Sequence, residues 1–153
     1  IGNNNLLMAY THVAHDCVVG DDNVFANNAG IAGHVNVGNN VTIGALTTIH
    51  QFCQIGDYSF AGMNTSITMD VPAYIKVASN PARVIGLNSV GMERAGINQE
   101  TITILKKVYK IIYRKGFNLK DAIAKVESMD CFNVEEVQNF ISSLKSSERG
   151  ILR

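Results

Sequence analysis

An apolar residue recurs at every sixth position from the start of the chain: Ile1, Leu7, Val13, Val19, Phe25, Ile31, Val37, Ile43, Ile49, Ile55, Ala61 and Ile67. The phase never slips. With 46% hydrophobic residues, twelve consecutive hits in one phase arise by chance roughly once in ten thousand trials, so the period is a structural signal. Glycine often follows the apolar residue (Gly2, Gly20, Gly38, Gly44, Gly56, Gly62). The fifth position of the hexad is nearly always small, as at Thr11, Cys17, Ala29, Val35, Val41, Thr47, Cys53, Ser59, Thr65 and Val71. Hexads of this kind read as a β-solenoid: each short strand turns one aliphatic plug inward, and the corners between strands demand small residues.

The pattern resembles the left-handed parallel β-helix of hexapeptide-repeat acyltransferases, a triangular prism with three hexads, about 18 residues, to a coil. Cys17 and Cys53 fall at the small fifth position, which predicts packing rather than nucleophilic chemistry. The chain begins in repeat register, without methionine and without a cap. An uncovered solenoid end exposes strand edges, so further coils are expected to precede Ile1. After Pro72 the repeat fades through VPAYIKVASNPARVIGLN. A helix is then predicted from an Asn98 N-cap to about Arg114, with Ile102, Leu105, Val108, Tyr109 and Ile112 as its buried stripe and Gly116 as its stop. Two shorter helices are predicted near Leu119 to Ser128 and Val134 to Lys145. The expected organisation is a β-helix over residues 1–75, a connecting segment over 76–97 and a helical domain over 98–153.

The 153 residues suffice for one substantial core. Apolar runs fall far short of the roughly 18 residues of a membrane span, and no charged-then-apolar leader opens the chain; a soluble cytoplasmic protein is the expectation. Three cysteines without a CxxC pair argue against a disulfide framework and a zinc ribbon. The formal net charge of zero hides an asymmetry. All 13 lysines and arginines lie at or after Lys76, while residues 1–75 hold only Asp16, Asp21, Asp22, Asp57 and Asp70 as charges. From Lys76 to Lys125 ten basic residues face Glu93, Glu100 and Asp121, a balance suited to an acidic partner or a phosphate.

All four histidines lie in one part of the repeat. The hexads that start at Val13, Ile31 and Ile49 should stack in successive coils about 4.8 Å apart, gathering His15, His34 and His50 with His12 at the corner before them. Histidines satisfied by neighbouring carbonyls are one reading. A zinc site is a second, as in β-helix enzymes resembling carbonic anhydrases that share histidines between subunits. The third is general-base chemistry, in which a neutral imidazole removes a proton from an attacking hydroxyl. Other parts favour this third reading. Asp16 is placed to hold the His15 tautomer if a turn intervenes between them, and Gly33 offers a backbone N–H unhindered by a side chain, suited to a developing oxyanion.

The motifs HVAHDC, FANNAGIAGHVNVG and IHQFCQIG, followed by DVPAY, SNPARVIGLN and a helical tail, resemble the UDP-N-acetylglucosamine O-acyltransferases of lipid A biosynthesis. The resemblance spans the whole chain but only the later coils and helical domain of that family. Hexads alone are shared with sugar and serine acetyltransferases and carbonic anhydrases; HxxHDC, AGH and HQF together are far more specific.

The resemblance implies transfer of a (R)-3-hydroxyacyl group from acyl carrier protein to the sugar 3-hydroxyl, by direct attack without a covalent acyl-enzyme, cofactor or metal. It makes His15 the general base, Asp16 its support and the Gly33 amide the oxyanion contact. His12, His34, His50 and Gln51 match positions lining the substrate groove. Asn88 and Arg94 match positions near the acyl chain and the nucleotide phosphates, and Met63 stands where some members have glycine at the far end of the acyl groove. It also implies a homotrimer with each site between two subunits. Lys106, Lys107, Lys110, Arg114 and Lys115 are the candidates for meeting the acidic carrier protein. One departure is GMERAG, residues 91 to 96: the family usually places a basic pair at the arginine, whereas Glu93 and Ala95 flank Arg94 here, which predicts a lost phosphate contact. Two alternatives come from other classes, a zinc-dependent hydro-lyase resembling the carbonic anhydrases and a non-catalytic scaffold.

Overall fold

The computed structural model describes residues Ile1 to Arg153. Each hexad yields a two-residue strand whose second member is the periodic apolar residue. The strands are β1 (Leu6–Leu7), β2 (His12–Val13), β3 (Val18–Val19), β4 (Val24–Phe25), β5 (Gly30–Ile31), β6 (Asn36–Val37), β7 (Thr42–Ile43), β8 (Thr48–Ile49), β9 (Gln54–Ile55), β10 (Phe60–Ala61) and β11 (Ser66–Ile67). They form three parallel sheets, the faces of a prism. Face A holds β1, β4, β7 and β10; face B holds β2, β5, β8 and β11; face C holds β3, β6 and β9. Paired residues are 18 apart, as in Val13↔Ile31↔Ile49↔Ile67, so the expected coil length is met.

From Val19 to Ile67 no periodic plug is more than 4% exposed, whereas Ile1 and Leu7 in the first coil are 67% and 39% exposed. The small fifth-position residues from Ala29 to Val71 are buried at the corners. Once per hexad the chain turns through a left-handed residue. Asparagine and aspartate take this conformation readily at Asn4, Asp16, Asp22, Asn28, Asn40 and Asn64, but His34, Leu46, Phe52 and Tyr58 adopt it too. That conformation costs such side chains about 1 kcal/mol or more, offset where neighbouring coils lock the turn. His34 N–H donates to His15 C=O and Phe52 N–H to Gly33 C=O, each at 3.1 Å.

Cys53 is fully buried, and desolvation pushes its thiol up to about 11. Cys17 is half-buried, its Sγ donating to the Ala32 carbonyl at 3.0 Å. Both act as small corner residues.

The solenoid runs beyond Pro72. Strand β12 (Ile75–Ala78) extends face A with Phe60↔Lys76 in register, and β13 (Arg83–Leu87) adds to it antiparallel. Segment 76–97, read above as a connection, therefore holds most of β12, all of β13 and α1 (Ser89–Arg94). The predicted helices follow as α2 (Gln99–Tyr113), α3 (Leu119–Glu127) and α4 (Glu135–Lys145), with a short 3-10 helix, Asp130–Asn133, between the last two. Asn98 caps α2 by accepting from Thr101 N–H at 2.9 Å, and Asn118 caps α3 through Asp121 N–H at 2.8 Å. The predicted stripe of α2 is buried, joined by Thr101 and Ile111. Helix α1 was not predicted; its six residues carry a mid-helix Gly91 and too few apolar positions to show a period.

Helices and prism share one apolar core that runs without a break from Val19 to Leu152. Polar ties reinforce it. Asn139 on α4 donates to Asp57 Oδ2 and to the Tyr74 hydroxyl, both at 3.0 Å. The Tyr74 ring stacks on Tyr58 and meets the Phe140 edge. Buried Asp70 accepts from Gln54 N–H at 2.8 Å and Ser147 O–H at 2.6 Å, pinning the C-terminal segment to the last coil. No helix is long and apolar enough to cross a membrane.

Candidate active site

The edge between faces B and C brings the predicted residues together. Because coils repeat every 18 residues, this edge aligns three columns: Ala14, Ala32 and His50; His15, Gly33 and Gln51; Asp16, His34 and Phe52. Gly33 stands at the centre. Its backbone is not in the left-handed region, so conformation does not require glycine there. Space does: an added Cβ would lie 2.6 Å from His15 Cε1 and 2.7 Å from Nε2. The imidazole thus rests against bare backbone, and the Gly33 N–H makes no hydrogen bond within the chain.

The turn that the sequence required between His15 and Asp16 is the left-handed corner itself. With Asp16 at φ +58°, its side chain swings back toward its neighbour and Oδ2 lies 2.9 Å from His15 Nδ1. His34, in the same corner one coil on, sets Nε2 3.7 Å from that carboxylate oxygen, and its ring meets His15 edge to face at 5.1 Å. The His15 hydrogen bond first, then the nearby His34 charge, hold Asp16 below the usual carboxylate range. The carboxylate therefore stays ionised from mildly acid pH upward and orients the imidazole as an acceptor of hydrogen bonds.

Sequence reasoning missed Phe52. It stacks on His34 with ring centroids 4.8 Å apart and planes within 9°, though it is half exposed. Its own signal was only its place after His50 and Gln51. His12 projects from β2 in register with Gly30 and Thr48, and nothing lies within 4 Å of where a Gly30 Cβ would be, so the surface beside it is open. His50 Nδ1 lies 3.1 Å from the carbonyl of Gln51, and both residues are exposed. Met63 is 71% exposed at the corner between faces A and B.

Asn88 and Arg94 lie elsewhere, in a groove of about 460 Å³ between face A and α1. The buried Asn88 carboxamide is already engaged: Oδ1 accepts from Gly91 N–H at 3.1 Å and Nδ2 donates to the Tyr58 carbonyl at 2.8 Å. Asn88 is thus the α1 cap, while Arg94 is exposed at the last turn.

His15, Asp16 and His34 also offer three ligand atoms within 4.8 Å of one another, a set that zinc accepts. Metal at Asp16 would displace the bond that orients His15. The two uses of this cluster exclude each other.

A parallel solenoid of hexads with a polar, histidine-bearing edge and a helical layer is the architecture of the hexapeptide-repeat proteins. In agreement, the bacterial transferase hexapeptide profile matches residues 1–33. A second profile, described as UDP N-acetylglucosamine O-acyltransferase domain 2, matches residues 70–152, and the chain belongs to that family. An acyl-[acyl-carrier-protein]--UDP-N-acetylglucosamine O-acyltransferase of Thiobacillus denitrificans is 42% identical across the whole chain, which spans 59% of that protein. The crystal structure of the Moraxella catarrhalis UDP-N-acetylglucosamine O-acyltransferase superposes with TM-score 0.96 at 45% identity, covering the whole chain and 59% of that structure. The Arabidopsis UDP-N-acetylglucosamine acyltransferase gives TM-score 0.96 at 34% identity over the whole chain and 56% of its own.

Replacement of Gly33 by alanine is expected to push the His15 ring off its seat with little change in folding. A displacement on the 1 Å scale lowers turnover about a hundredfold. Acyl transfer and the thermal midpoint, measured together, check this; full activity would show that the ring does not work from this position.

Proposed function

We propose that the chain carries the catalytic edge of an acyltransferase that moves a (R)-3-hydroxyacyl group from acyl carrier protein to the 3-hydroxyl of UDP-N-acetylglucosamine, the first step of lipid A biosynthesis. The observation that carries this reading is the His15–Asp16 pair at 2.9 Å with its ring set against the Gly33 backbone.

Asp16 accepts the hydrogen bond from Nδ1–H, leaving Nε2 as the base. Nε2 takes the proton of the sugar hydroxyl as its oxygen bonds to the thioester carbonyl carbon. The carbonyl π electrons move to oxygen, where the Gly33 N–H donates to the developing charge. Collapse breaks the carbon–sulfur bond, and the departing thiolate takes the proton from the imidazolium. No step passes through a metal, a covalent acyl-enzyme or a bound cofactor.

The exposed Lys106, Lys107, Lys110, Arg114 and Lys115 on and just after α2 form no ion pair in the chain, which suits an acidic carrier protein. The histidine edge and the Arg94 groove lie on different parts of one prism. A homotrimer with sites between subunits joins them, and that is the assembly we propose.

The deciding experiment offers chelator-treated protein a 3-hydroxyacyl carrier protein and UDP-N-acetylglucosamine, and separately bicarbonate. Acyl transfer without metal supports the reading. Metal-dependent bicarbonate dehydration without transfer would establish the zinc hydro-lyase in its place.

Met63 is expected to shorten the preferred acyl chain, each methylene left unburied forfeiting about 0.8 kcal/mol, or roughly fourfold. Met63→Gly should therefore shift the kcat/KM optimum toward longer acyl donors. An unchanged chain-length profile would assign Met63 to packing alone.

A further inference from the structure

Face A presents one outward ladder of side chains, Leu6, Val24, Thr42, Phe60 and Lys76, paired strand to strand. Lys76 ends it because β12 alternates inward and outward residues: Ile75 and Val77 are buried while Lys76 and Ala78 face out. Its ammonium sits over the Phe60 ring, 5.2 Å from the centroid, which holds the flexible stem along the sheet. Lys76 from the sheet and Arg94 from helix α1 line the same groove of about 460 Å³. Neither cation has a carboxylate partner within ion-pair distance. Asp22, the only acid lining the groove, leaves it with a positive balance.

Two unpaired cations on opposite walls of an open, partly apolar groove suit a ligand with adjacent phosphates. We infer that Lys76 binds phosphate together with Arg94, gripping the diphosphate of a nucleotide-linked substrate. The inference rests on the proposed function for the identity of the nucleotide. Arginine suits one phosphate through its fork, and lysine acts as a point charge on the other.

The test measures binding of UDP, inorganic pyrophosphate and 4′-phosphopantetheine to the whole protein by calorimetry, for wild type, Lys76→Met and Lys76→Arg. Binding of UDP and pyrophosphate that weakens roughly tenfold to a hundredfold in Lys76→Met, recovers in Lys76→Arg and fades with added salt establishes the contact. In turnover, the same loss should appear in KM for the nucleotide sugar with kcat little changed. Unchanged diphosphate affinity in Lys76→Met, absent binding in wild type, or binding of the pantetheine phosphate alone would each overturn it. Since binding is read without acyl transfer, a protein that holds UDP through Lys76 yet transfers no acyl group refutes only the proposed reaction.

Discussion

His15→Ala is expected to lower acyl transfer by about 10² to 10⁴-fold in kcat, the usual worth of a positioned general base. The loss should fall on kcat rather than on KM, because the proposed base acts on the proton in flight. Folding should be untouched: His15 is exposed, and the variant leaves the 18-residue coil ladder intact. Asp16→Asn should cost less while keeping the shape of the corner. The His15 hydrogen bond and then the His34 charge lower the Asp16 pKa from the ordinary carboxylate value. The carboxylate's support of the base is fully present above that value and is lost only as pH falls through the depressed value, so an acid limb near neutrality must come from another group. A pH–rate profile for wild type and Asp16→Asn tests this; equal kcat for wild type and His15→Ala would end the base mechanism.

Phe25→Ala should do the reverse, unfolding the protein more readily without touching the chemistry of the edge. Phe25 is the fully buried plug of β4, in register with Ile43 of the next coil. Emptying such a site costs about 3–5 kcal/mol, since transfer free energy and the unfilled cavity add. Set against a total stability of about 5–15 kcal/mol, this is a large fraction, and the thermal midpoint should fall by roughly 10 °C. In a solenoid the loss is felt by the coils on either side, because Phe25 stacks between Leu7 and Ile43. Calorimetry of both variants separates the cases: a lowered midpoint for Phe25→Ala and an unchanged one for His15→Ala.

Much of the fold was legible because the solenoid repeats its constraint. The hexad phase anticipated the register of strands β1 to β11, and Cys17 and Cys53 fell where a small residue was needed. The capping asparagine Asn98 marked the start of α2, whereas the Asn118 cap of α3 emerged only in the structure. The site was legible in part. The His15–Asp16 contact could be foreseen only on condition of a turn, and the left-handed corner at Asp16 supplied it. Asn88 carried two meanings in sequence; its buried carboxamide is occupied as a helix cap.

By itself, then, the sequence determined the coil. A period is a local rule, and stacking it leaves one way to bury every plug, which fixes both the faces and the edge where the histidines collect. Only the tertiary structure decided which groups touch there: His34 between Asp16 and Phe52, and the His15 ring against Gly33. It alone brought Lys76 to Arg94 and the C-terminal segment back to Asp70. The last two contacts join residues with no periodic relation to one another, so they depend on how α1 and the tail pack against the finished prism, and composition and spacing carry no record of that.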